Sequence, residues 1–324
     1  MLAFAHAVYS GRFSSPNVVK PLQSSSVKDT VAQVSAAFRF HNRPNPTLDQ
    51  FGKPSLILQR QWRAYTNADR IRKYQKAIPQ SVLRRLRELA RSDMDKALAD
   101  LVIGAYFFAM CSCEYSTVKE KNTRTRRLCL RNIRFFQGRK ELPHSDDLSG
   151  ADAVSITFEF QKNDVTWDTV THTASGDDSF CPVRSWAAVV KRVWQIPGAS
   201  RDTPVNSYQH EMDTIEFSSD FVMRSLRAVV ADIGVDVLGF TKDDIGTHSL
   251  RSGCAMAMHL AGIPVYMMML IGRWSSEAFM LYIQKQIRQF ASGVTASMIQ
   301  QRPFFTIPEI STVFTGANNS KSQN

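Results

Sequence analysis

The sequence predicts a mainly α-helical protein with one small antiparallel β-sheet, divided between two domains. Three observations predict it. Apolar residues recur at helical spacing, as at Val27, Val31, Val34 and Phe38, or at Val82, Leu83, Leu86, Leu89 and Ala90. One stretch alternates instead: Val154 to Phe160 is β-branched or aromatic at every second position, followed by a turn at Gln161–Asp164 and a returning strand from Val165 to Thr173. A length of 324 residues exceeds the usual allotment of about 150 per domain.

Composition sets the class. With 44% hydrophobic and 21% charged residues the chain can bury sizeable cores, and the net charge of +11 favours an acidic partner, either nucleic acid or an anionic membrane surface. No apolar run reaches the roughly 18 residues of a membrane-spanning helix, so no membrane span is expected. Met1–Ser10 has no basic leader and contains His6, so it does not read as a signal peptide, and secretion is not expected. The five cysteines, Cys111, Cys113, Cys129, Cys181 and Cys254, are odd in number and lack Cys-x-x-Cys spacing. Neither a disulfide framework nor a structural zinc site is therefore expected, and a reducing compartment follows.

Residues 1–25 lack periodicity and read as a loosely ordered lead-in. Ser26, with Asp29 three positions on, offers a helix cap. The stretch 42–54 holds Pro44, Pro46, Gly52 and Pro54 and reads as a loop. Leu58, Trp62 and Tyr65 mark the next helix, whose other face carries Arg60, Arg63, Arg70, Arg72 and Lys73. That face is either solvated surface or a DNA-backbone contact. Ala77–Gln80 reads as a linker, Asp93 as a cap, and Leu101 to Met110 as a fully buried helix. Between Lys119 and Lys140 nine basic residues meet Glu120 alone: Lys119, Lys121, Arg124, Arg126, Arg127, Arg131, Arg134, Arg139 and Lys140. Such like charges repel, and counterion release at a phosphate backbone would relieve them. Further helices are expected over Ser185–Val193 and Phe221–Ile233, and the chain after Gln301 thins into a polar tail.

The chain is organised around the stretch from Gly246 to Tyr282. Ser249 to Leu260 reads as a helix rich in small side chains (Ser252, Gly253, Cys254, Ala255, Ala257) that let another backbone approach closely. Gly262 ends it, Pro264 opens the apolar run Val265–Ile271, and Gly272 stops that run. Ser275 or Ser276 can cap a third helix carrying Tyr282. A His-x-x-Arg pair, His248 and Arg251, thus opens the unit; Arg273-Trp274 and Tyr282 close it.

In this order the stretch resembles the C-terminal half of the tyrosine recombinase (phage integrase) family, and Gly272-Arg-Trp-Ser-Ser276 looks most like its eukaryotic mobile-element branch, the Crypton and DIRS-like recombinases. The resemblance implies a helical core-binding domain over 26–76, a catalytic domain over 77–300 and a C-terminal tail over 301–324. It implies double-stranded DNA as partner, a tetramer on DNA in synapsis, and nuclear residence. Neither a metal nor a small-molecule cofactor is implied. DNA is broken and rejoined through a 3′-phosphotyrosyl link that conserves the bond energy.

The resemblance assigns Tyr282 as nucleophile, Arg251 as phosphate clamp, His248 as acid-base residue and Lys162, on the hairpin turn, as general acid, with His172 the weaker candidate. Trp274 or Arg273 takes the second hydrogen-bond position: spacing from Tyr282 favours Arg273, chemistry favours Trp274. The family's first arginine, three residues before a glutamate, falls on Cys111, with Glu114 in place. A thiol has no cationic fork, and losing one such donor typically lowers rate by about 10²–10³-fold. The resemblance therefore implies a recombinase that is catalytically impaired. Two alternatives stand beside it: a non-catalytic DNA-binding protein derived from a recombinase, and a helical interaction protein without a nucleic-acid role.

Overall fold

The computed structural model describes residues 1–13, 21–69, 75–118, 125–160, 166–274 and 280. Its contacts divide the chain between Tyr74 and Gln75 into two units. Helices dominate both, and two small antiparallel sheets lie in the second.

The first unit holds α1 (Leu2–Tyr9), α2 (Ser24–Phe40) and α3 (Leu56–Ala68). Ala5, Val8, Val27, Val31, Leu58 and Tyr65 form its core, with the Tyr9 and Tyr65 rings stacked 4.0 Å apart. The segment expected as a loose lead-in is thus partly a helix: Ala5 and Val8 are one turn apart and both buried. The α2 cap also differs. The helix begins at Ser24, whose backbone N–H donates to the Asp69 carboxylate at 2.7 Å, so a distant carboxylate takes the place of a local cap at Ser26. Phe38, expected on the apolar stripe, is exposed, whereas Ser55 caps α3 by accepting from the Leu58 N–H at 3.5 Å.

In the second unit, Gln75–Pro79 is extended but is not a free linker. Lys76 N–H donates to the Asp244 carbonyl at 2.8 Å, Ile78 N–H to the Ser249 carbonyl at 3.0 Å, and Ile78 is fully buried. There follow α4 (Gln80–Leu89), α5 (Asp93–Phe107) and the single turn α6 (Ser112–Tyr115). Ser92, not Asp93, caps α5, in a reciprocal capping box with Asp95. Asp100 is the one carboxylate on the buried face of α5, and Arg87 of α4 and a second arginine, Arg192, hold it there.

Strands β1 (Ile133–Gln137), β2 (Lys140–Leu142), β3 (Ala153–Phe160) and β4 (Thr166–Thr173) form one antiparallel sheet in the order β2-β1-β3-β4. Its inner face (Ile133, Phe135, Val154, Ile156, Phe158, Val170) is buried, and α7 (Pro182–Trp194) packs there and against α5. Gly104 of α5 lets these helices close: an added Cβ would lie 2.8 Å from the indole nitrogen of Trp186. The outer face is polar, with Arg134, Ser155 and Thr171 in register and a Thr157–Thr169 hydroxyl pair at 3.0 Å. A second hairpin, β5 (Ser207–His210) and β6 (Asp213–Glu216), was not predicted; its strands are short and lack a buried alternation.

The chain then forms α8 (Ser219–Ile233), α9 (Val235–Leu238), α10 (Ser249–Leu260) and α11 (Val265–Gly272). The small residues of α10 do admit a backbone. A Cβ on Gly253 would stand 2.2 Å from the carbonyl oxygen of Ile78, so the buried extended segment requires glycine there. Among the described residues no helix is long and apolar enough to cross a membrane.

Candidate active site

Two helix ends and one helix start meet at Cys111. The first is the end of α5. Ala109 adopts a left-handed conformation (φ 46°), its N–H donates to the Tyr106 carbonyl at 3.0 Å, and Met110 N–H donates to the Ala105 carbonyl at 3.1 Å. That is a Schellman closure, which turns the chain so that Cys111 can cap α6. Glu114 folds back, and its carboxylate accepts the Cys111 N–H at 2.8 Å.

The second is the end of α11, which closes the same way with an unusual residue. Arg273 N–H donates to the Leu270 carbonyl at 3.2 Å and Trp274 N–H to the Met269 carbonyl at 3.0 Å, while Arg273 sits at φ 55°, where glycine is usual. A non-glycine residue there costs about 1–2 kcal/mol. The contacts of its side chain oppose that cost. The Arg273 guanidinium, 1% exposed, donates to the Phe108 carbonyl and to the Glu114 carboxylate, both at 2.8 Å, and lies 3.6 Å over the Phe158 ring. Gly272 is required by the fold-back of Trp274, since a Cβ would be 1.9 Å from the indole.

The third element is the start of α10. His248 stands exposed at its N-cap position, with its backbone N–H donating to the Gln75 side chain at 2.9 Å. Arg251 lies one turn on, half-buried. Its guanidinium donates to the Cys111 Sγ at 2.8 Å and to the Gly272 carbonyl at 2.6 Å, and lies 4.9 Å from the Trp274 ring centre. Those bonds engage two of an arginine's five N–H donors; the others have no partner among the described residues.

Burial pushes the Cys111 thiol up, and the Glu114 charge adds to this; Arg251 and Arg273 oppose it without prevailing. The group facing Arg251 is therefore a neutral thiol, a weak acceptor that supplies no charge.

The structure thus brings together Cys111, Glu114, Arg251, Arg273 and Trp274, with His248 on the same helical face as Arg251. It separates the two candidates for the second hydrogen-bond position: Trp274 faces Arg251, whereas the Arg273 guanidinium is committed to Glu114 and Phe108. Tyr282 and Lys162 lie outside the described residues, as do Lys119, Lys121, Arg124, Arg70 and Lys73. His172 faces the core. Its ring meets Phe108 edge-on at 4.6 Å, Nε2 is buried without a partner among the described residues, and burial lowers its pKa to about 4.

Of the remaining basic candidates, Arg63 is exposed on α3. Arg127 pairs with Glu216, and Arg131 with Glu159 (2.7 Å) and Asp202. Arg126 is 72% exposed and 3.6 Å from Glu159, and Arg134 is exposed on the sheet. Sequence reasoning missed Arg201 and Trp167, which share a cleft with Arg131 and Arg134. A lone arginine in a turn and a tryptophan beside a run of threonines carry no periodic signal; the register of β4 brings Trp167 there, and Arg201 is held there by its carbonyl, which accepts the Arg131 N–H at 2.8 Å.

Among the described residues no group of three or more His, Cys, Asp or Glu is placed to hold a metal ion. A comparison with models of known protein families finds no match, and a comparison with curated proteins finds none.

Proposed function

We propose that the chain is a tyrosine-recombinase-type protein of a eukaryotic mobile element, acting on double-stranded DNA in the nucleus as a homo-oligomer, a tetramer in synapsis. Its breaking and rejoining of DNA through a 3′-phosphotyrosyl intermediate is weakened by Cys111. One observation carries the reading. Arg251, one turn from His248, is held by Gly272 and Cys111 with N–H donors to spare, and that is what a clamp on a phosphodiester needs. In the reaction Tyr282 attacks phosphorus and the 5′-hydroxyl leaves. His248 takes up and returns the tyrosyl proton, and Lys162 protonates the leaving oxygen. Arg251 binds the charge that develops on the non-bridging oxygens. A second guanidinium at position 111 would share that charge; the neutral thiol does not.

A denaturing gel for DNA linked to Tyr282, run on nicked duplex substrates, tests this. The wild type is expected to give a trace of adduct, Cys111→Arg about 10²–10³ times more, and Tyr282→Phe none. Equal rates for wild type and Cys111→Arg would show that position 111 is not the first arginine's place.

The Cys111 thiol also favours a second reading, a DNA-binding protein of the same descent without catalysis. It predicts no adduct from either protein, with duplex binding unchanged in Tyr282→Phe.

A further inference from the structure

Trp167 carries two costs that no contact among the described residues offsets. It lies in β4 at φ 61°, a conformation costly for a bulky side chain, and it is 69% exposed. No ring or cation contact involves it among the described residues. Backbone strain together with an exposed aromatic points to a partner that meets the ring.

The surroundings define that partner. Trp167 forms part of a cleft of about 780 Å³ on the outer face of the sheet, with Arg131, Arg134, Thr157, Thr169 and Arg201. Arg131 pairs with both of the cleft's carboxylates, Glu159 and Asp202, and Arg126, 3.6 Å from Glu159, brings the second positive charge that balances them. Arg134 and Arg201 form no ion pair among the described residues, and both are exposed. The same two arginines line an adjoining hollow of about 340 Å³ that ends at His144 and the partly exposed Trp194, with Glu141 its one carboxylate. Aromatic face, arginine pair and second aromatic face thus follow one another across the surface.

A duplex offers phosphates to such a track but no base faces, since its bases are already stacked. An unpaired strand offers both. We infer that this cleft binds single-stranded DNA, with an unpaired base stacked on Trp167, adjacent phosphates on Arg134 and Arg201, and the strand continuing toward Trp194. The choice of DNA rests on the reading proposed above.

The test is equilibrium binding of a labelled oligo-dT of about eight nucleotides to the full chain, beside a blunt duplex of equal length and an oligo-rU. Trp167→Ala is expected to weaken oligo-dT binding about tenfold or more, and Trp167→Phe much less. Arg134→Ala and Arg201→Ala should each weaken it and flatten the dependence of log affinity on log salt by about 0.7. Duplex affinity should not respond to Trp167→Ala. Should Trp167→Ala fail to fold, the arginine variants and Trp167→Phe carry the test. Oligo-dT binding indifferent to Trp167→Ala and to both arginine variants would overturn the inference. So would duplex binding that falls equally with Trp167→Ala, or oligo-rU bound more tightly than oligo-dT. Adduct formation at Tyr282 is read on a separate substrate, so loss of the recombinase reading and loss of this one are distinguishable.

Discussion

The corner around Cys111 and the outer face of the sheet each hold arginines, and the buried arginine of the corner is held in the opposite way to the exposed ones of the sheet. In the corner, Arg273 is 1% exposed, and its guanidinium is held by the protein's own Glu114 carboxylate, Phe108 carbonyl and Phe158 ring. On the sheet, Arg131 is bound by Glu159 and Asp202, but Arg134 and Arg201 stand exposed. The difference is one of solvation. A buried guanidinium must be paired or the corner does not close, whereas an exposed one keeps water until a phosphate replaces it. Charge count alone is therefore a poor guide to where DNA would touch this chain.

The largest expected effect breaks the buried side of that contrast. Arg273→Met or Glu114→Gln should lower stability by about 3–5 kcal/mol, because each leaves the other group buried without its partner. The double variant Glu114→Gln/Arg273→Met should lose less than the sum of the two, since no charge is left stranded. Urea unfolding of the four proteins measures this. Single-variant losses below about 1 kcal/mol would mean that water reaches the pair and that the corner resembles the sheet face.

Acid sharpens the contrast next. His172 has a pKa of about 4, depressed by burial from the ordinary 6.5. Between those values the unfolded chain binds a proton that the folded chain refuses, so stability falls as pH drops from about 6.5 to about 4, by up to about 3 kcal/mol. His144, lowered by burial, adds in the same direction. Glu159 does not contribute there. Arg131 holds its carboxylate down to about 2, so its share is lost only below the ordinary 4.5. Denaturant midpoints between pH 7 and 5 should therefore fall less steeply in His172→Gln than in the wild type; identical slopes would mean that His172 is not desolvated.

Regular elements were legible where one physical pattern decides them. α10 runs over Ser249–Leu260 as its small residues and Gly262 suggest, and the alternating stretch at 154 pairs with the strand ending at Thr173. What the sequence concealed depends on distant partners. Ile78 is buried because α10 leaves room for its carbonyl beside Gly253, and Ser24 is pinned by Asp69, a carboxylate 45 positions on. The site was legible in part. His248, Arg251 and Trp274 could be singled out by order along the chain, but no local signal says that Arg273 turns inward to Glu114. That depends on a left-handed helix end meeting a carbonyl and a carboxylate at the end of another helix.

The smallest expected effect compares two arginines of the same basic run. Arg127 is about one-third exposed, as is its partner Glu216, and it also donates to the Thr117 hydroxyl at 2.8 Å. An ion pair so open to water stabilises by less than about 1 kcal/mol, and Arg127→Ala should change unfolding midpoints correspondingly little. Its bound carboxylate also means that a phosphate would have to displace Glu216 to reach it. Among the described residues Arg134 carries no such competitor. Duplex or single-strand binding should therefore lose more affinity, and more of its salt dependence, in Arg134→Ala than in Arg127→Ala. The reverse order would show that the Glu216 pair opens for DNA, and that exposure rather than pairing decides which arginines of the run are available.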